Sequence, residues 1–260
     1  MDLGLQGKVA LVAAASKGLG YGIAHALAAE GAKVSICSRD EGAITAAAQR
    51  LHDETGAETL ATACDVRDAA AIQAWIERTV QTWGNIDALA INAGGPPAGP
   101  LKTETDERWQ AAFELTLMST VRMIRGSLPY FNRGGAILAV TSSSVRQPIP
   151  NLGVSTAMRL AVAGVLKTFS RELADDGIRV NNLVPGRIDT DRVRELDEGV
   201  AAREGISFEA VRERSVQNIP FKRLGTIEEF GAAGAFLLSP AASYITGATL
   251  VVDGGGMSAL

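Results

Sequence analysis

Two stretches of this chain carry residue types and spacings suited to binding a phosphorylated ligand. The first is Ala13-Ala14-Ala15-Ser16-Lys17-Gly18-Leu19-Gly20. It closes an apolar run and opens a helical pattern. Small residues at such a junction let the backbone approach a pyrophosphate, and the helix that follows presents free N–H groups and the positive end of its dipole. An ordinary tight turn would use similar residues; the place between a strand and a helix, near the start of the chain, favours the phosphate reading. The second stretch is Cys37-Ser38-Arg39, at the end of the next apolar run. A site that prefers NAD(H) usually has an acid here to bond the adenosine ribose hydroxyls. Ser38 and Arg39 stand instead, and the planar, permanently charged guanidinium suits a 2′-phosphate. Lys17 adds a second cation, and Asp40 reads as a helix cap. The alternative makes Arg39 a surface charge only. These residues predict a dinucleotide site that favours NADP(H) over NAD(H).

The elements that must position these residues alternate. Short apolar, β-branched runs at residues 8–14, 33–38, 59–64, 86–91, 135–141, 178–184 and 248–252 read as strands. Helical patterns fall at 18–30, 41–54, 68–83, 106–131, 152–175 and 226–238. Strands apolar on both faces fit a parallel sheet covered by helices. The alternation predicts an α/β fold: a Rossmann-type doubly wound parallel sheet of about seven strands, in one domain over residues 1–260. Residues 189–220 are charged and interrupt the alternation. They follow the C-terminal end of a strand, where such sheets bind ligands, so they predict a substrate lid; a solvated helical insertion is the alternative.

Bulk properties narrow the function classes. With 47% hydrophobic residues, the chain can bury a substantial core. A net charge of −4 without a Lys/Arg run argues against nucleic acid or an anionic membrane as partner. No apolar run reaches the ~18 residues that span a bilayer, and no basic segment followed by an apolar stretch marks a secretory leader. Cys37 and Cys64 show no metal-ligand spacing and read as buried, reduced thiols, which predicts a cytoplasmic protein without a metal.

In order along the chain, the motifs resemble those of the short-chain dehydrogenase/reductase family, over nearly the full length. The family's Thr-Gly-x-x-x-Gly-x-Gly is similar to Ala13–Gly20, with Ala14 in place of the first glycine. Its adenine-side Asp-Val resembles Asp65-Val66, its Asn-Ala-Gly is Asn92-Ala93-Gly94, and its Pro-Gly is Pro185-Gly186. Tyr244–Gly247 and Val252–Gly255 match its closing motifs. The resemblance implies that Ala14, Ser16, Lys17 and Leu19 hold the pyrophosphate side of the cofactor, and Ser38 and Arg39 the adenosine ribose. It assigns further cofactor contacts to Asp65, Val66, Asn92, Ala93, Gly94, Arg159, Pro185, Gly186, Ile188 and Thr190.

The resemblance carries over to catalysis in part. The family's serine is Ser142, at the end of the fifth strand. Its tyrosine follows about a dozen residues later, and that place is Ser155. Its lysine, four further on, is Arg159. The chain's tyrosines, Tyr21, Tyr130 and Tyr244, all lie far from this stretch. The family's asparagine, seven past a tryptophan, falls at Thr116. The expectation is therefore an NADP(H)-dependent oxidoreductase of a carbonyl or alcohol substrate, similar to a 3-oxoacyl reductase, with Ser142, Ser155 and Arg159 in an altered active site. A serine hydroxyl is a far weaker acid than a phenol with its pKa near ~10. Two alternatives follow: non-carbonyl chemistry on the same fold, such as isomerisation, elimination or double-bond reduction, or cofactor binding without turnover. The resemblance also implies a homo-oligomer, a tetramer, built through the helices at 106–131 and 152–175. The small residues Ala157, Ala161 and Gly164 suit such contacts, or packing against the sheet.

Overall fold

The computed structural model describes residues 2–259. Seven strands form one parallel sheet: β1 (Val9–Ala13), β2 (Lys33–Ser38), β3 (Thr59–Ala63), β4 (Ile86–Ile91), β5 (Phe131–Val140), β6 (Arg179–Pro185) and β7 (Thr249–Val252), in the order β3-β2-β1-β4-β5-β6-β7. The order reverses between β1 and β4, so their C-terminal ends bound a crevice, the usual ligand position in such sheets. β1 is buried along its whole length, as its unbroken apolar sequence requires. The fold is the Rossmann-type α/β sheet read from the alternation.

Helices cover both faces. On one face pack α1 (Gly18–Ala29) and α2 (Glu41–Thr55), with Ile23, Leu27, Ile44 and Leu51 pointing inward. They are joined there by α9 (Ile227–Leu238), which contributes Phe230 and Leu238. On the other face pack α3 (Ala69–Trp83), α5 (Ser119–Ser127) and α6 (Gly153–Glu172), around Trp75, Ile76, Met123, Ile124 and Leu166. α4 (Asp106–Ala112) precedes α5; α7 (Asp191–Glu204) and α8 (Phe208–Gln217) lie within the charged stretch. Caps explain the helix starts. Asp40, Asp68, Thr190, Ser207 and Thr226 each accept a backbone N–H of the first turn, and Thr226 forms a reciprocal box with Glu229.

Two expectations need correction. The helix read over 106–131 is interrupted: Phe113–Met118 is π-helical, and Pro129 lies in a 3-10 turn, Leu128–Tyr130, which ends the helical path. The fifth strand begins at Phe131 rather than Gly135. Phe131 pairs with Ile86, and the register then shifts before Ala136 pairs with Ala88, with Gly134 at φ 89°. The irregularity falls at residues 132–134, between the helix and the strand read from the sequence, where no apolar run marks a strand. Among the described residues no helix is long and apolar enough to cross a membrane.

Candidate active site

The crevice begins at the turn from β1 into α1. Ala14 adopts φ 49°, in the left-handed region, and Ala15 N–H donates to the Cys37 carbonyl at 3.1 Å. The turn is compact: a Cβ on Gly20 would lie 2.5 Å from the Ala14 carbonyl oxygen and 2.9 Å from Asn92 Nδ2. Only glycine permits that approach. Unlike α2, α3, α4, α7, α8 and α9, each capped by an Asp, Ser or Thr side chain, α1 has Lys17 at its N-cap and no side-chain cap. Its first-turn N–H groups therefore have no side-chain acceptor, a feature shared with α6 but here set at the end of β1 beside the crevice, which fits a phosphate. Ser16 and Leu19 are half-buried along this turn.

Opposite the turn, Asn92 Nδ2 donates to the Ala14 carbonyl at 3.3 Å and ties the end of β4 to the cradle. Ala93 is half-buried, and Gly94 faces open space. At the end of β2, Ser38 Oγ donates to the Asp40 carbonyl, while Asp40 Oδ1 accepts from Ala43 N at 2.7 Å. Asp40 is the helix cap expected of it, which turns its carboxylate toward α2. Arg39 is exposed and makes no hydrogen bond or ion pair within the described residues. Near it, Arg67 donates to both Asp65 oxygens; that hydrogen bonding, with the backbone N–H of Arg67 and the charge of Arg39, holds the Asp65 carboxyl below its ordinary range. Val66 and Cys37 are buried, as is Cys64, which lies one residue beyond β3.

Lys17 does not stand free as a second cation. Its Nζ lies 2.6 Å from Asp191 Oδ2, at the start of α7, and that bond raises the lysine pKa and lowers the aspartate's. Both side chains are exposed, so the pair is weak and screened by salt. Pro185 ends β6, and Gly186 packs against Asp253 with no room for a Cβ. Ile188 is buried and bridges to Gly225; Thr190 caps α7 and lies close to Gly18.

The residues with chemistry lie at the end of β5 and on α6. Ser142 Oγ accepts from Ser144 N at 3.1 Å. Ser155 Oγ accepts from Arg159 Nε at 3.3 Å, one helical turn away. Arg159 Nη1 donates to the carbonyls of Val140 and Thr141, both at 3.0 Å, so α6 is fastened to the chain immediately before Ser142. Both serine oxygens thus accept from N–H groups and keep their own protons available to donate. Arg159 is buried, at 8% exposure. Burial first, and the charge of Arg192 second, lower its pKa to about 10. Thr116 lies in the π-helical segment, which packs on α6, and its buried Oγ1 has no hydrogen-bond partner among the described residues.

Sequence reasoning missed three side chains. Arg192 reaches from α7 to donate to the Pro96 carbonyl at 3.0 Å. Arg187 pairs with the buried Asp197, which joins the residue after Pro185-Gly186 to the middle of α7. The sole signal for any of them was the proximity of Arg187 and Arg192 to the Pro185–Thr190 segment, within a stretch that read as charged surface.

A crevice at the sheet's switch point, a glycine-dependent cradle and an uncapped helix N-terminus define a dinucleotide-binding α/β protein. Comparison with known proteins narrows the class. The sequence model of the family described as Enoyl-(Acyl carrier protein) reductase matches residues 13–257. Dehydrogenase/reductase SDR family member 4 of Bos taurus is 34% identical, over 98% of this chain and 89% of that protein. The 3-oxoacyl-[acyl-carrier-protein] reductase of Escherichia coli (strain K12) is also 34% identical, over 97% of this chain and 98% of its own. The crystal structure of L-sorbose reductase from Gluconobacter frateurii, complexed with NADPH and L-sorbose, superposes with a TM-score of 0.95 at 31% identity, over 100% of both chains. The chain belongs to the short-chain dehydrogenase/reductase family and is an oxidoreductase by that membership.

Proposed function

We propose that this protein binds NADP(H) in preference to NAD(H) and uses it to interconvert a small carbonyl compound and its alcohol, in an active site that works without the family's tyrosine and lysine. The observation that carries the cofactor assignment is the free Arg39 guanidinium at the end of β2, beside an Asp40 committed to capping α2. The cradle supports the pyrophosphate position: Gly20 keeps the Ala14 carbonyl close, and the N-terminus of α1 has no side-chain cap. The related sorbose reductase structure contains NADPH, which supports the same reading. Asp65, Val66, Asn92, Ala93 and Gly94 would border the adenine and nicotinamide halves, and Pro185, Gly186, Ile188 and Thr190 the far wall. When bound, the cofactor supplies or accepts the hydride.

The chain's own residues then have separable tasks. Ser142 and Ser155, each accepting a hydrogen bond from an N–H group, donate to the substrate oxygen. Arg159 stabilises negative charge that develops there, or holds the nicotinamide ribose, by its fixed guanidinium. Neither group is a strong acid at neutral pH, so water supplies the proton. The loss of a matched general acid costs roughly 10²–10⁴ in rate, and slow turnover is expected. Residues 189–220, with α7 and α8, act as a lid whose first turn contacts the cradle through the Lys17–Asp191 pair. The protein works as a homotetramer, in the cytoplasm.

Titration calorimetry with both cofactors tests the assignment. A charge-assisted hydrogen bond contributes about 1.5–3 kcal/mol, so NADPH should bind at least about tenfold more tightly than NADH, and Arg39→Ala should weaken NADPH alone. Equal affinities would refute it. A second reading is double-bond reduction. The matching family is described as an enoyl reductase, and that chemistry suits a site in which no tyrosine protonates a carbonyl.

A further inference from the structure

We propose that Arg159 and Arg192 together hold an anionic oxygen group of the substrate, a carboxylate or a phosphate, in the space above Gly95; this assigns a substrate class to the reductase site proposed for the same crevice.

Gly95 marks the point of convergence. A Cβ built there would lie 3.6 Å from Arg192 Nη2, 3.9 Å from Arg192 Nε and 3.8 Å from Arg159 Nη2. The two guanidinium groups come from different elements, α6 and α7, and meet beside the loop that follows β4. The φ of Gly95 is not in the left-handed region, and a Cβ would meet only ordinary contacts. Neither backbone conformation nor packing demands glycine there. Its effect is to leave the space between the two cations open.

The bonding of each arginine points the same way. Arg159 spends Nε on Ser155 and Nη1 on two carbonyls, and every one of these partners is neutral. Its Nη2, on the Gly95 side, has no hydrogen bond among the described residues. Among the described residues no carboxylate lies within ion-pair distance of this buried cation, whereas Arg67, Arg122, Arg187, Arg212, Arg214 and Arg223 all have one. Among the described residues Arg192 has a single ion-pair partner, the exposed Glu195, at 3.4 Å. Arg179 is also buried without an acid, but its donors go to the carbonyls of Leu237, Ser239 and Ile245 around the end of α9, where a cation suits the helix dipole. Arg159 has no such neighbour. A buried cation without a counter-charge, facing a second cation, is unfavourable. An oxyanion between them relieves both burial and repulsion: Arg159 offers Nη2, and the Nε–Nη2 edge of Arg192 fits either a carboxylate or a phosphate.

The test uses the full chain, with and without saturating NADPH. Malonate, inorganic phosphate and the neutral malonamide are titrated by calorimetry into the wild type, Arg192→Gln and Gly95→Asp. Arg192 is chosen because loss of Arg159 would strip the Val140 and Thr141 carbonyls of their donor and risk the fold. Malonate or phosphate should bind and malonamide should not, and the tighter of the two identifies the group. Arg192→Gln should weaken that binding by at least roughly tenfold, the loss of one charge-assisted contact. Gly95→Asp should place a carboxylate between the arginines, abolish binding and raise the melting temperature. In parallel, NADPH consumption is followed with acetoacetate and with ethyl acetoacetate. A preference for the acid that Arg192→Gln erases through KM supports the site. Absence of anion binding, or binding unchanged in Arg192→Gln, overturns it. If ethyl acetoacetate is reduced while neither anion binds, the anion site falls and the reductase reading stands. If Arg192-dependent anion binding is found but no carbonyl compound is reduced, the reverse holds.

Discussion

Ala14 stands where the resemblance places the family's first glycine, and the backbone there keeps a glycine conformation, with φ 49°. A left-handed alanine is strained by about 1 kcal/mol or more. Ala14→Gly releases that strain but adds freedom to the unfolded chain, so a net gain of up to about 1 kcal/mol in a urea melt is expected, with cofactor affinity retained. Gly20→Ala should do the opposite. Its Cβ meets the Ala14 carbonyl, a backbone atom that cannot swing aside; a loss of about 1–3 kcal/mol and a marked loss of NADPH affinity should follow. The geometry of the turn was legible because it is local, eight consecutive residues between β1 and α1, as was the Asp40 cap next in line after Arg39. Arg192 was not legible. Its meeting with Arg159 depends on where α6 and α7 lie in space, and a sequence shows only another arginine in a charged helix.

At the scale of elements, the central strands were legible because burial on both faces demands unbroken apolar runs, and most helix starts because their caps are short and local. The π-helical segment at Phe113–Met118 was hidden, since no residue type specifies it. The start of β5 was hidden because an irregular register uses the same asparagine and glycines as a turn. The start of α9 offers a prediction. Hydrogen bonding from Arg223, then from the Thr226 N–H, holds the Glu229 carboxyl at about 2, against an ordinary 4.5. A carboxyl whose pKa is depressed on folding adds stability that is full above its unfolded value and is lost as pH falls through the folded one. The difference in urea midpoint between the wild type and Glu229→Gln should therefore be constant above about pH 4.5 and shrink toward pH 2. A difference independent of pH across that window would mean that the pair contributes nothing.

For the whole molecule, one of the helices that the resemblance assigns to subunit contacts, α6, has an exposed side. On α6, Leu160 is 49% exposed, and a Cβ on Gly164 would meet open space. This part of the helix therefore does not pack against the sheet. Light scattering at micromolar concentration should give the mass of four chains, and Leu160→Arg should lower it; a monomer mass for the wild type would contradict the proposed assembly. The same scale holds the central claim, that a crevice with Ser155 and Arg159 in place of tyrosine and lysine still moves a hydride. The most direct measurement is isotope transfer. The protein is incubated with NADPH carrying deuterium at the transferable position and with a panel of keto acids and neutral ketones, and the products are analysed by mass spectrometry. The account predicts deuterium on the carbinol carbon of at least one product, at a slow rate and with the keto acids ahead. Deuterium that appears in no carbinol, with NADPH demonstrably bound, would contradict it.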